Sequence, residues 1–293
     1  MTQPLIIDGK AIARQVRAEV KARVARLGAR GITPGLRILH VGEDPASDVY
    51  VGSKEKASAQ AGIACSTRRL PATAGLADCI AAVEEWNHDP AVHGVIVQLP
   101  LPKGIDPHAV LDRLDPRKDA DGLTTWSAGA LVSGRAGFKP ATPLGIIELL
   151  VRSSIPITGR RVVVVGRSEL VGRPLANLLM LRGERADATV TVCHTRTADL
   201  GAVTRTAEIL VLATGKAGLV TGEMVSEGVV VIDAGITRLD TPEGCRLVGD
   251  ADFASVAPRA SAITPVPGGV GPMTVAMLLC NTVTAAENVG GKP

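Results

Sequence analysis

Aromatic side chains are almost missing: two Trp, two Phe and one Tyr, 2% of 293 residues. A hydrophobic interior therefore has to be built from Ala, Val, Leu and Ile. A charge block is missing as well. The 32 basic and 29 acidic residues leave a formal net charge of +3 and are spread along the whole chain without interleaved aromatics, so no nucleic-acid partner is expected. Cysteine pairs are missing: Cys65, Cys79, Cys193, Cys245 and Cys280 are odd in number, widely spaced and form no C-x-x-C, which fits a reduced protein without structural zinc. The five histidines show no metal-ligand spacing. His88 and His93, flanking the turn N-H-D-P-A-V-H, read as solvated, and no metal is expected. No window reaches the roughly eighteen apolar residues of a membrane span. The start, M-T-Q-P-L-I-I-D-G-K-A, has no charged-then-apolar signal pattern. A cytoplasmic protein without a membrane partner is expected.

What is present is 46% hydrophobic and 21% charged residues, a globular balance, at a length that permits one large or two ordinary domains. Apolar runs and helical periods alternate throughout, which predicts α/β architecture with parallel strands. Asp8 caps an amphipathic helix that Gly28 or Gly31 ends. Strands follow at G-L-R-I-L-H-V-G, I-A-C-S-T-R-R-L and G-V-I-V-Q-L-P, with helices between them. A broken stretch from Lys103 to Gly129, rich in Gly, Asp and Pro, is of the kind that carries function or a boundary. The second half opens with the helix T-P-L-G-I-I-E-L-L. It continues through R-V-V-V-V-G, a strand buried on both faces, to strands at A-T-V-T-V-C, E-I-L-V-L-A and G-V-V-V-I-D-A-G.

Two places suggest chemistry. The only tyrosine, Tyr50, stands four residues before Lys54 in S-D-V-Y-V-G-S-K-E-K-A, a spacing that puts both on one face of a helix. Ser47 serves as N-cap, Asp48 suits the first turn and Gly62 supplies the stop. Lys56 projects from a different face. On these residues alone, a solvated lysine beside a half-buried tyrosine is the simpler reading. In the second half, Gly166, Ser168 and Gly172 lie between a buried strand and a helix, where a dinucleotide fold sets its pyrophosphate on the helix N-terminus. The spacing G-x-S-x-x-x-G is weak by itself. The next strand ends in His194-Thr195-Arg196-Thr197 with no acid for a ribose 2′-hydroxyl. Arg167 and Arg196 are near instead and suit a 2′-phosphate, which predicts NADP over NAD.

The run T-P-V-P-G-G-V-G-P-M-T, 264–274, sets three prolines and three glycines at the approach to a helix. With Y-V-G-S-K, V-Q-L-P, D-A-D-G-L, G-R-S-x-x-V-G-x-P and V-I-D-A-G-I, in that order over the whole chain, the sequence resembles the bifunctional methylenetetrahydrofolate dehydrogenase/methenyltetrahydrofolate cyclohydrolase family, the FolD type. The resemblance implies an α/β folate domain over 1–140, completed by a C-terminal helix over 272–293. A Rossmann NADP-binding domain over 141–271 and a folate cleft between the domains are implied too, in a cytosolic homodimer joined through the Rossmann domains. It implies oxidation of 5,10-methylenetetrahydrofolate with NADP and hydrolysis of the methenyl product to 10-formyltetrahydrofolate. Lys54 would be catalytic, Gln98 would assist it, Tyr50 would pack on the substrate's aminobenzoyl ring and Asp121 would grip the pterin. Pro100, Leu101, Gly268, Gly269 and Val270 would line the folate site, and Gly166, Arg167, Ser168, Gly172, Thr195, Arg196 and Ile236 the cofactor site. The chain departs from the family at Ser127, where Asn is usual, and at Ala141, where Cys is usual. Gln98 ends a buried strand, where an unpaired amide is costly, so the Lys54 amine is its expected partner. An NADP dehydrogenase on another two-domain scaffold leaves the Gly-Pro run and the Tyr50/Lys54 pair unexplained. A folate- or nucleotide-binding protein without turnover leaves Lys54 merely to pair with a substrate carboxylate.

Overall fold

The computed structural model describes residues 3–241 and 244–289. Along the chain come β1 (Leu5–Ile6), α1 (Gly9–Gly28), β2 (Gly35–Val41), α2 (Pro45–Ala61), β3 (Ala64–Leu70), α3 (Leu76–His88) and β4 (Gly94–Val97). There follow α4 (Pro107–Leu111), α5 (Thr125–Val132), α6 (Ala141–Arg152), β5 (Arg161–Val165), α7 (Gly172–Met180), β6 (Thr189–Cys193), α8 (Leu200–Thr204) and β7 (Ile209–Leu212). The last are β8 (Val229–Asp233), β9 (Thr237–Thr241), β10 (Gly244–Val248), α9 (Phe253–Val256), β11 (Ala260–Ile263) and α10 (Val270–Glu287). Among the described residues no helix is long and apolar enough to cross a membrane.

The elements gather into two compact α/β units, one of residues 1–13 with 142–274 and the other of 14–141 with 275–293. The expectation had put the first 140 residues in one domain. Residues 1–13 instead join the other unit, because Leu5 and Ile6 pair in parallel with Ala262 and Ile263, a contact between chain-distant segments that carries no local signature.

The first unit holds a parallel sheet of order β1-β11-β8-β7-β5-β6, the Rossmann-like arrangement. Its strands β5, β7 and β8 are almost wholly buried, and their Val and Leu side chains form a core with Ile263, Val220 and Val256. Strand order reverses between β5 and β7, which places a ligand crevice at their carboxyl ends. The antiparallel hairpin β9–β10 was not foreseen.

The second unit holds the parallel sheet β3-β2-β4. Leu39, Val41, Val95 and Val97 pack with Cys79, Val83 and Trp86, so the one well-buried aromatic serves this core. His93, expected in solvent, is buried, and its Nδ1 accepts the Gly35 N–H at 3.0 Å. Pairing of β2 with β4 draws it in. Burial, followed by the Lys118 charge, pushes its pKa below the ordinary histidine value. Lys118 Nζ donates to the carbonyls of Trp86, Asn87 and Asp89 at 2.7–2.9 Å, closing the carboxyl end of α3.

Candidate active site

Helix α2 begins earlier than its sequence suggests. Asp44, not Ser47, is the N-cap: its Oδ2 accepts both the Ser47 N–H at 2.9 Å and the Ser47 hydroxyl at 2.8 Å. Pro45 occupies the first turn, where its missing N–H costs nothing. Gly62 ends the helix in the left-handed region at φ 82°. The helix buries Val51, Lys54, Ala57, Ser58 and Ala61, a stripe of helical period. Lys54 lies in this stripe with 6% of its surface exposed, while Lys56 is exposed. Tyr50, one turn earlier, keeps 42% of its surface open.

The Lys54 amine donates to Gln98 Oε1 at 2.9 Å, and Gln98 Nε2 donates to the Leu99 carbonyl at 2.8 Å. Gln98 stands just past β4, still in the sheet ladder through its N–H to the Leu39 carbonyl at 2.8 Å, so its side chain is directed by a fixed backbone. Burial pushes the Lys54 pKa below the ordinary lysine value, opposed by the charges of Asp121 and Cys65. Burial likewise raises the Asp121 carboxyl, with Lys54 pulling it down and Asp119 adding to the rise. At both groups desolvation outweighs their mutual attraction, so each leans towards its neutral form. A buried amine held towards its neutral form in this way can take up and return a proton. Beyond Gln98, Pro100 is exposed after the cis Leu99–Pro100 peptide, and Leu101 packs in part on the core.

At the carboxyl end of β5, Gly166 has φ 124°, and a Cβ there would stand 2.2 Å from the Ala213 carbonyl oxygen at the end of β7. A Cβ on Gly172 would stand 2.1 Å from the Gly166 oxygen. Only glycine allows strand, turn and helix to close so tightly, and the result is a side-chain-free cradle before the N-terminus of α7. Ser168 Oγ accepts the N–H groups of Val171 and Gly172 at 3.2 and 3.4 Å. After β6 the turn is set by the His194 N–H donating to Thr197 Oγ1 and the Arg196 N–H donating to His194 Nδ1. Arg167, Thr195 and Arg196 are exposed. Ile236 is also exposed, just beyond β8. The cradle, the helix N-terminus and the free guanidinium-bearing loops fit a dinucleotide.

The glycines of the 264–271 run have a reason inside the chain as well. A Cβ on Gly9 would meet the Gly269 oxygen at 1.8 Å, and Lys10 N–H donates to the Gly268 carbonyl at 3.1 Å. Gly268 adopts φ 113°. Val270 is buried.

The sequence profile of the tetrahydrofolate dehydrogenase/cyclohydrolase catalytic domain matches residues 7–121, and that of the NAD(P)-binding domain of the same proteins matches residues 140–289. The chain belongs to this family. The bifunctional protein FolD of Cupriavidus pinatubonensis is 50% identical over 286 residues, covering 98% of this chain and 99% of that protein. The bifunctional FolD methylenetetrahydrofolate dehydrogenase/cyclohydrolase of Campylobacter jejuni superposes with a TM-score of 0.93 at 43% identity, over 97% of this chain and 99% of that one. The Trypanosoma brucei dehydrogenase-cyclohydrolase, solved with NADP cofactor and inhibitor, gives a TM-score of 0.93 at 41% identity over 99% of both chains. The protein is accordingly a bifunctional enzyme of folate one-carbon chemistry, a methylenetetrahydrofolate dehydrogenase and methenyltetrahydrofolate cyclohydrolase with an NAD(P) cofactor.

Several polar groups around these sites went unnoticed in the sequence. Asp119 is buried and accepts the N–H groups of Leu123 and Thr124 and the Ser127 hydroxyl. Asn281, on α10, donates to the carbonyls of Ala120 and Lys139. Asp250 Oδ2 accepts the N–H groups of Thr214 and Gly215, tying the end of β7 to the segment before α9. The doublet D-A-D and a lone Asn in the apolar run M-L-L-C-N-T-V were the available signals, since an isolated polar residue on an apolar helix face needs a partner.

Proposed function

We propose that Lys54 is the proton shuttle of the cyclohydrolase reaction, that Gln98 orients it, and that NADP is the preferred oxidant. The single observation that supports this best is the 2.9 Å contact from the Lys54 amine to Gln98 within a buried helix face. A nicotinamide cofactor, when bound, accepts hydride from the one-carbon bridge of methylenetetrahydrofolate. The chain's part in that step is alignment. Tyr50 offers a flat, open ring for the aminobenzoyl group, and Asp121 a carboxyl for the pterin edge. Pro100 and Leu101, on the unit that carries Lys54, extend the folate-binding set.

Hydrolysis asks more of the side chains. Water adds to the methenyl carbon, and the neutral Lys54 amine takes the proton that the water releases. The resulting ammonium gives a proton to the ring nitrogen as its bond to that carbon breaks, while the added hydroxyl becomes the formyl carbonyl and loses its proton to solvent, so that one proton is released overall. A cationic substrate and burial both hold the amine's pKa down, while Gln98 Oε1 fixes one N–H and so directs the lone pair. Absorbance assays with methylenetetrahydrofolate test the whole reading: NADPH must form, and the methenyl intermediate must be consumed. Absence of NADPH formation would overturn it.

Preference for NADP rests on Arg167 and Arg196, exposed beside the glycine cradle and the β6 turn, and on the lack of an acid at 194–197. Replacing the arginine that meets the 2′-phosphate by a neutral residue removes a charge-assisted bond of about 1.5–3 kcal/mol. The NADP/NAD ratio of kcat/KM should fall while NAD turnover changes little. An unchanged ratio in both single variants moves the phosphate site to Thr195 and backbone amides.

A further inference from the structure

We infer that Asp119, held by Ser127, is a positioning residue that sets Asp121 for substrate; the inference rests on the reading of Asp121 as the pterin-binding carboxyl. Three anchors fix the loop around Asp121. At its first residue, the Asp119 backbone forms a parallel bridge with Val95, on the strand that delivers Gln98. The Asp119 carboxylate reaches the other way, to the start of α5: Oδ1 accepts the Leu123 N–H at 3.1 Å, and Oδ2 accepts the Thr124 N–H at 2.9 Å and the Ser127 hydroxyl at 2.6 Å. A negative group is stabilised there by the helix N-terminus. The second anchor is Asn281, whose Nδ2 holds the carbonyls of Ala120 and Lys139 at 2.9 and 3.0 Å. The third is Gly122, at φ 68°, where a Cβ would stand 2.5 Å from the Lys139 carbonyl carbon.

Asp121 is thus the one residue of D-A-D-G whose side chain is left for something other than the loop, and both its chain neighbours are fixed. The strand that positions Gln98, and through it Lys54, also carries the loop of Asp121. Ser127 is fully buried; its N–H is taken by Thr124 Oγ1 at 3.1 Å and its hydroxyl by Asp119. Removing that hydroxyl leaves Asp119 Oδ2 with one donor and loosens the link between β4 and α5 at the point where Asp121 departs.

The test compares Asp121→Asn, Ser127→Ala and Asp119→Asn in the intact enzyme, by steady-state kinetics with methylenetetrahydrofolate and NADP and by thermal melting. Asp121→Asn should raise the folate KM. Ser127→Ala should raise the same KM by about threefold or more with dehydrogenase kcat within about twofold, the pattern of lost substrate binding and not of lost transition-state contact. Asp119→Asn should do the same more strongly, with the KM for NADP unmoved in both. If Asp121→Asn raises the folate KM but neither Ser127→Ala nor Asp119→Asn does, even with a lowered melting temperature, the pair is structural and the inference is overturned. An unchanged folate KM in Asp121→Asn would instead overturn the reading of Asp121 on which it rests.

Discussion

At the scale of the residue, Lys54 should separate the two reactions. Lys54→Gln keeps an N–H donor for Gln98 Oε1 but cannot shuttle a proton. Since general acid–base groups contribute about 10²- to 10⁴-fold, cyclohydrolase activity should fall at least to the lower bound while part of the dehydrogenase activity survives. Absorbance should then show methenyltetrahydrofolate accumulating where the parent enzyme clears it. Equal losses in both reactions would make Lys54 a positioning group. Stability should move the other way. A buried amine with a lowered pKa binds fewer protons folded than unfolded, so its charge costs stability below its folded pKa, and the cost fades as pH rises towards 10.5, the ordinary lysine value. At pH 7 the Lys54→Gln variant should therefore melt no lower than the parent, and its advantage should shrink in alkaline buffer. A clearly lower melting temperature would show that the Lys54–Gln98 contact outweighs the burial of the charge.

At the scale of the element, caps and close approaches decide whether the site-bearing segments hold their shape. Asp44→Ala removes the acceptor of two donors from Ser47 at the start of α2. A lost N-cap costs about 1 kcal/mol, and a denaturant melt should show it with kcat largely kept, because Lys54 lies nearly three turns further along a helix already packed on its sheet. Gly166→Ala should act more severely. The new methyl would stand 2.2 Å from the Ala213 oxygen, at a φ of 124° that L side chains rarely adopt. The ends of β5 and β7 must separate, so both melting temperature and NADP affinity should fall. Retention of NADP affinity by titration would show that the cradle is not where the cofactor sits.

At the scale of the whole molecule, one buried acid couples stability to pH. Asp233, at the end of β8, accepts N–H groups from Gly235, Asp250 and Ala251, yet burial raises its pKa from 3.8 to about 6, with the Asp250 charge adding to the rise. Between those values the folded chain binds more protons than the unfolded one, so stability is lost as pH rises through that window. The span corresponds to about 3 kcal/mol. Melting curves of the parent and of Asp233→Asn from pH 4 to 7 should converge or cross in that direction, and a constant difference would deny the coupling. Assembly belongs to the same scale. The family resemblance leads us to expect a homodimer, and light scattering at micromolar concentration should give twice the mass of one chain; the mass of a single chain would refute it.

Period and punctuation in the sequence determined most elements. Four consecutive valines mark β5, Gly62 stops α2, and ordered motifs from Y-V-G-S-K to P-V-P-G-G-V-G-P mark the family, since each depends on local sterics or on short stretches of chain. The partner of Gln98 was also legible, because a buried amide must be paired. Three-dimensional pairing decided the rest. That Leu5–Ile6 completes the larger sheet, that His93 is drawn under β2, and that Asp119, Ser127 and Asn281 jointly brace the loop of Asp121 depend on residues up to hundreds of positions apart. So does the fate of Lys54. Its spacing from Tyr50 follows from the chain, but its lowered pKa comes from burial, and burial is a property only the packed structure confers.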